Sequence, residues 1–189
     1  MVSRILLCLA VLSAAPALAA RTVLDDYLTL PRKYLAALGT TADRTSLIRV
    51  SDVRHGYLEL EGAWEGDAQV ALWTGRAGQR LLGVVQTDCG PVCHQTLYFL
   101  KRQNGHWVDV TRATVSPPSS AALLGDFQRV SPDGQRPGED MPPVLYRLPR
   151  VGTAIEVIVD PGFTDRPTVL TRLRFDPGTM RFTDQGGPK

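Results

Sequence analysis

Gln95-Thr96-Leu97-Tyr98-Phe99-Leu100-Lys101, the turn Gln103-Asn104-Gly105, and His106-Trp107-Val108-Asp109-Val110-Thr111 form the stretch that decides the architecture. Asn-Gly between two apolar runs is the strongest short-range hairpin signal in a sequence, because both residues tolerate the positive φ of a two-residue turn. Upstream of it the period of two continues through Arg80–Gln86 and Gln69–Thr74, joined at Gly75-Arg76-Ala77-Gly78, and through Tyr57–Glu61. These segments predict an antiparallel meander of about five strands. Downstream, strand patterning returns at Pro143–Leu148, at Ala154–Val159, and in a hairpin of Val169–Phe175 and Arg181–Thr183 turned by Asp176-Pro177-Gly178-Thr179. Turn centres at Gly75, Gly105 and Gly178 are too unevenly spaced for a propeller or solenoid. The expected fold is therefore mainly β (α+β): an antiparallel meander forming a sandwich or a strongly curved sheet, with a short N-terminal helical segment.

That helical segment starts at Asp25-Asp26-Tyr27-Leu28, where Leu24, Tyr27, Leu28 and Leu35 share a face at helical spacing. Pro31 splits it into two short turns. Thr41 reads as the cap of a further helix running into Leu47, Ile48 and Val50. A Pro/Gly-rich loop at about 114–142 separates the two strand regions, with one short helix at Ala121–Phe127 and a mobile part at Ser131–Asp140. It offers a lid or a contact surface. The last residues, 186–189, have nothing to pack and are expected to fray.

Residues 1–19 carry a basic start at Arg4, an apolar run from Ile5 to Ala15, and the small-x-small exit Ala17-Leu18-Ala19. That order describes a bacterial secretory signal peptide, cleaved to leave Ala20 as the first mature residue. Pro16 breaks the run short of the roughly 20 apolar residues a membrane span needs, so no span is expected once the signal is removed. Residues 20–185 then form a single mostly-β domain in the periplasm or outside the cell. Removing Arg4 leaves 20 basic residues against 19 acidic ones, a net of +1. Interleaved charges such as Asp43-Arg44 and Asp52-Val53-Arg54 provide no basic patch for nucleic acid.

Four blocks give the chain a resemblance: Asp26–Tyr34, Asp52–Leu58, Asn104–Thr111 and Tyr146–Thr153. In this order they resemble the successive blocks of a group of uncharacterised secreted bacterial proteins. The resemblance implies export but no activity and no site residues, and the cysteine loop lies outside the shared blocks.

The sharpest chemical feature is Thr87-Asp88-Cys89-Gly90-Pro91-Val92-Cys93-His94. Cys89 and Cys93 can be bridged across a tight turn, and a disulfide is the default in an oxidising compartment. The alternative is a redox or copper-handling site, with Cys89 and Cys93 as soft thiolates and His94 as imidazole. No Gly-x-Ser-x-Gly turn marks a serine nucleophile, and His55 and His106 sit beside turn glycines with nothing directed at them, so no catalytic residues and no cofactor are assigned. Glu59 and Glu61 alternate with Leu58 and Leu60, which places both carboxylates on the solvent side of a half-buried strand. If a small ligand binds, Trp64, Glu65 and Asp67 in the glycine-rich Gly62–Asp67 run, together with Glu59 and Glu61, are the candidates. Trp73, Tyr98, Phe99 and Trp107 read as core. The expected function is a non-enzymatic binding or interaction domain with a protein or small-molecule partner.

Overall fold

From Ile48 to Asp109 the chain forms a six-stranded antiparallel meander, each strand hydrogen-bonded to its neighbours in sequence. The strands are β1 (Ile48–Asp52), β2 (Tyr57–Glu61), β3 (Gly66–Thr74), β4 (Arg80–Cys89), β5 (Cys93–Gln103) and β6 (His106–Asp109). The Asn-Gly turn is where the sequence puts it: φ is 49° at Asn104 and 81° at Gly105, and Gln103 pairs with His106. A second, four-stranded antiparallel sheet has the order β10-β9-β8-β7. Its strands are β7 (Val144–Arg147), β8 (Ala154–Val159), β9 (Val169–Asp176) and β10 (Arg181–Asp184). The computed structural model describes residues 21–35, 41–61, 66–91, 93–130, 143–163 and 168–187. The expected signal segment, Trp64, Glu65, Ser131–Pro142 and Pro188-Lys189 lie outside these.

The two sheets form a sandwich, and the larger one is covered on both faces. Its inner face, with Tyr57, Trp73, Leu81, Val85 and Phe99, meets Ile155, Val157, Leu173, Phe175 and Phe182 of the smaller sheet. On its outer face Leu58, Leu60, Val70, Leu82, Val84 and Leu100 lie under Val23, Tyr27, Leu30, Tyr34 and Leu35. Double burial explains why Leu81-Leu82-Gly83-Val84-Val85 is an unbroken apolar run rather than an alternating one. At the centre, Phe182 stands edge-on to Trp73 at 5.2 Å and packs on Phe99 at 4.8 Å, with Phe175 beside it at 5.3 Å. Gly83 lets β4 pass under this group, since a Cβ there would lie 2.6 Å from the Trp73 ring.

The helical cover consists of α1 (Val23–Leu28), a tight turn at Arg32–Tyr34 after Pro31, and α2 (Thr41–Ser46). Thr22 and Asp25 cap α1 reciprocally, the carboxylate taking the Thr22 N–H at 2.7 Å. Asp26, only 3% exposed, accepts from Arg21 at 3.1 Å and Arg80 at 2.5 Å. Arg80 thereby ties the helix to the sheet. Tyr27 donates its hydroxyl to the Arg44 carbonyl at 2.9 Å, and burial pushes that hydroxyl up to about 12.

Three expectations need correction. The helix begun at Thr41 stops at Ser46, and Ile48–Asp52 is a strand because Ile48 and Val50, on either side of a bulge, pack into opposite cores. The helix of the long loop is α4 (Ser120–Val130), longer than Ala121–Phe127, preceded by the single turn α3 (Thr111–Thr114); Leu123 and Phe127 bury its one apolar stripe. The chain end is also not free at its first residues. Gly186 N–H donates to Asp184 at 2.8 Å, and Gly187 is pressed against Asp126 and Arg129 of α4 so closely that a side chain would not fit.

Candidate functional site

The edge of the smaller sheet determines where a site can form. Among the described residues β7 has a strand neighbour only on its β8 side. On the other side, Gln95 of β5 accepts from Tyr146 N–H at 2.5 Å and donates to Tyr146 C=O at 3.1 Å, while Gln69 of β3 accepts from Leu148 N–H at 2.8 Å. Two side-chain amides thus stand where a strand would otherwise pair. Tyr146 and Leu148 are about 7 Å apart along the chain, yet they reach β5 and β3, about 10 Å apart across β4. β7 therefore crosses the strands of the large sheet and stands on its face.

Where the smaller sheet rises from the larger, the two leave a concave corner. One wall is the outward face of the small sheet, where Arg147, Glu156 and Arg172 lie in register across β7, β8 and β9. The other is the margin of the large sheet's inner face, with Tyr57, Glu59 and Gln69. The turn from Pro149 to Thr153 closes one end, anchored by Trp73 Nε1 donating to Thr153 C=O at 3.2 Å and by Arg150 Nε donating to Asp52 at 2.9 Å. The half-open cavity is about 540 Å³, within the range of small-molecule sites.

Charge in the corner is organised around carboxylates that are already occupied. Glu156 receives Arg147 on one oxygen, with Nε at 2.9 Å and Nη2 closer, and Arg172 on the other, at 3.2 and 3.0 Å. Burial raises the Glu156 carboxyl, but the two guanidiniums outweigh it and hold the group below its ordinary value. Asp52 is bound by Arg150 and by His55, whose Nδ1 lies 3.0 Å from both oxygens; these hydrogen bonds, Arg150 first, bring it down to about 2. Glu59 is paired with Arg49. The Tyr57 hydroxyl is pushed up to about 12 by burial, then by Glu59 and Asp67.

Of the described acidic candidates, Glu59 lines this corner and Glu61 and Asp67 do not. Glu59 and Glu61 share a face, opposite the buried Leu58 and Leu60, as the alternation requires. That face is not the solvent side of a half-buried sheet, however. It is the side that meets the second sheet, and Tyr57 on it is 5% exposed; alternation separates the faces but cannot say what covers each. Glu59 reaches the corner, whereas Glu61 is exposed beside Arg49 at 3.3 Å. Asp67 pairs with Glu61, and its Oδ1 is buried with no hydrogen-bond partner among the described residues.

The cysteine loop lies elsewhere, at the far end of the β4–β5 hairpin. Cys89 and Cys93 face each other in register with Cα atoms 4.0 Å apart and are joined by a disulfide. His94 pairs with Asp88, one position along, so its ring projects from the opposite face of the hairpin to the two sulfurs. Among the described residues no three or more His, Cys, Asp or Glu side chains gather as a metal ion would need. Trp73 and Phe99 are core as expected, while Tyr98 and Trp107 are half-buried under the helical cover, the Trp107 indole donating to Thr29 C=O at 3.0 Å.

Arg147, Arg150, Glu156 and Arg172 were not singled out by the sequence. The signal of Arg147, Glu156 and Arg172 is present only as charged residues alternating with core positions on β7, β8 and β9, and it becomes a row once the register is known.

No family model matches the chain, and no curated protein matches it. Among solved structures it is similar to a domain of an uncharacterized protein from Porphyromonas gingivalis W83, with a TM-score of 0.54 at 12% identity, covering 86% of this chain and 97% of that one. At that identity the likeness concerns the fold. It gives the sandwich a solved counterpart without assigning a chemistry. No helix among the described residues is long and apolar enough to cross a membrane.

Proposed function

We propose that this chain is an exported, non-enzymatic binding domain whose site is the corner between the two sheets. The observation that carries the reading is convergence: charged and polar side chains from both sheets and from the Pro149–Thr153 turn face one cavity of about 540 Å³. His55 and Asp52 come nearest to a catalytic pair. Asp52 is shared with Arg150, though, and among the described residues no hydroxyl or thiol is hydrogen-bonded to His55, which favours binding over nucleophilic hydrolysis.

Export is supported by the leader-like residues 1–19 and by the Cys89–Cys93 bond, which suits an oxidising compartment. N-terminal sequencing of the protein from cell fractions tests it. Ala20 as first residue outside the cytoplasm is expected; a retained Met1 in the cytoplasm would refute export. For the site, the mature protein is screened by NMR against a small-molecule library spanning neutral, cationic and anionic compounds. Hits should move Tyr57, Gln69 and Arg150 resonances together. Hits clustering at the separate cavity of Arg80, Arg102 and Trp107 would place the site elsewhere.

A further inference from the structure

Resting on the reading of the corner as a binding site, we infer that its ligand carries an oxyanion, a carboxylate or phosphate group, received by the unused N–H donors of Arg147, Arg150 and Arg172. Each of these side chains keeps N–H donors after its contacts within the described residues. Glu156 takes Nε and Nη2 of Arg147 on one oxygen and Nε and Nη2 of Arg172 on the other, which fills the roughly four acceptor sites a carboxylate has. Nη1 of each arginine makes no hydrogen bond to the described residues. Among the described residues Arg150 uses only Nε, on Asp52, leaving both terminal nitrogens. Gln69, which also lines the corner, accepts at Oε1 from Leu148, and its amide NH₂ makes no hydrogen bond to the described residues.

The carboxylate acceptors, by contrast, are mostly taken. Both Asp52 oxygens are shared by Arg150 and His55, and Oε1 of Glu59 is held by Arg49. What remains unsatisfied in the corner is therefore mainly donor capacity, and an acceptor-rich group completes it. A charge ladder serving only to hold strands together needs one cation per carboxylate. Here two arginines flank Glu156, so the row keeps an excess positive charge, and the arginines are accessible, with side chains 44%, 59% and 51% exposed at 147, 150 and 172. Guanidinium forks match the planar carboxylate and the phosphate edge in geometry as well as in charge.

The test is calorimetric titration of the mature protein at low ionic strength with inorganic phosphate and citrate, with methyl glucoside as the neutral probe. Co-sedimentation with phosphatidylglycerol vesicles is the arm that separates a lipid headgroup from a free anion. Saturable binding of phosphate or citrate is expected, weakened about tenfold or more by Arg150→Gln and by Arg172→Gln and unchanged by Arg181→Gln on β10. Vesicle binding with the same variant pattern but no free-anion binding would assign the headgroup as the source. Anion binding that survives both variants places the anion outside the corner and overturns the inference. Methyl glucoside binding there without the anions overturns the oxyanion and leaves the corner as a site. If no probe binds the corner, both readings fail.

Discussion

Replacing Gln95 by Leu tests the architecture at the point on which the corner depends. The Gln95 side chain satisfies both backbone groups of Tyr146 on the edge of β7 and reaches Thr87 at 3.2 Å. Leucine fills nearly the same volume but pairs with neither group, leaving one N–H and one C=O without a partner in a half-buried position. An orphaned buried polar group costs about 1–3 kcal/mol, and partial exposure puts each of these near the lower end, so the loss should be about 2–3 kcal/mol. For a domain of this length that is a fall of roughly 5–10 °C in Tm. Gln95→Glu keeps the acceptor for Tyr146 N–H but not the donor, and should fall between. Urea denaturation gives the loss in stability, and amide exchange locates it, with Tyr146 losing protection while core amides of β4 fall only with global stability. A change below about 0.5 kcal/mol with Tyr146 still protected would refute the claim that side-chain amides seal this edge.

Other expectations follow from the same contacts. Asp52 is held at about 2, below its ordinary 3.8, so its stabilising effect is complete above the ordinary value and is lost as the pH falls toward 2; Asp52→Asn should flatten the acid limb of a Tm–pH profile, and coincident limbs would contradict the assignment. Phe182→Ala empties the centre of the aromatic group and should cost about 3–5 kcal/mol, read by denaturant melts together with loss of near-ultraviolet dichroism; a cost under about 1 kcal/mol would mean the sheets do not meet there. Opening the Cys89–Cys93 bond by a double change to Ser releases a very short loop and should cost about 2 kcal/mol without altering ligand binding at the corner. Because His94 projects away from the sulfurs, a Cu(I) titration of the reduced protein should be unaffected by His94→Ala; copper lost on that change would restore the metal reading.

The elements most legible in the sequence were those with a local cause. Asn104-Gly105 demands positive φ and therefore a hairpin, whatever surrounds it. Alternation on Tyr57–Glu61 separated Glu59 from Leu58 and Leu60 correctly. It did not show that the second sheet covers that glutamate face at Tyr57 while leaving Glu61 at the strand end exposed, because only the second sheet's position reveals that. Ile48 and Val50 fit a helix continuing from Thr41 by spacing alone. Pairing with Leu60 and Glu59 made them a strand, and that pairing is a tertiary fact. The corner was illegible for the same reason. Arg147, Glu156 and Arg172 are far apart in sequence and meet through the registers of two strand pairs, while Gln69 and Gln95 look like ordinary strand polar residues until β7 is laid across them.

Crystals of the mature protein grown with selenate, an oxyanion visible by its anomalous scattering, test the central claim most directly. The account predicts a selenium peak in the corner, its oxygens within hydrogen-bond reach of Arg150 and of Arg147 or Arg172. Peaks confined to other surfaces, with the corner filled by water alone, would contradict it.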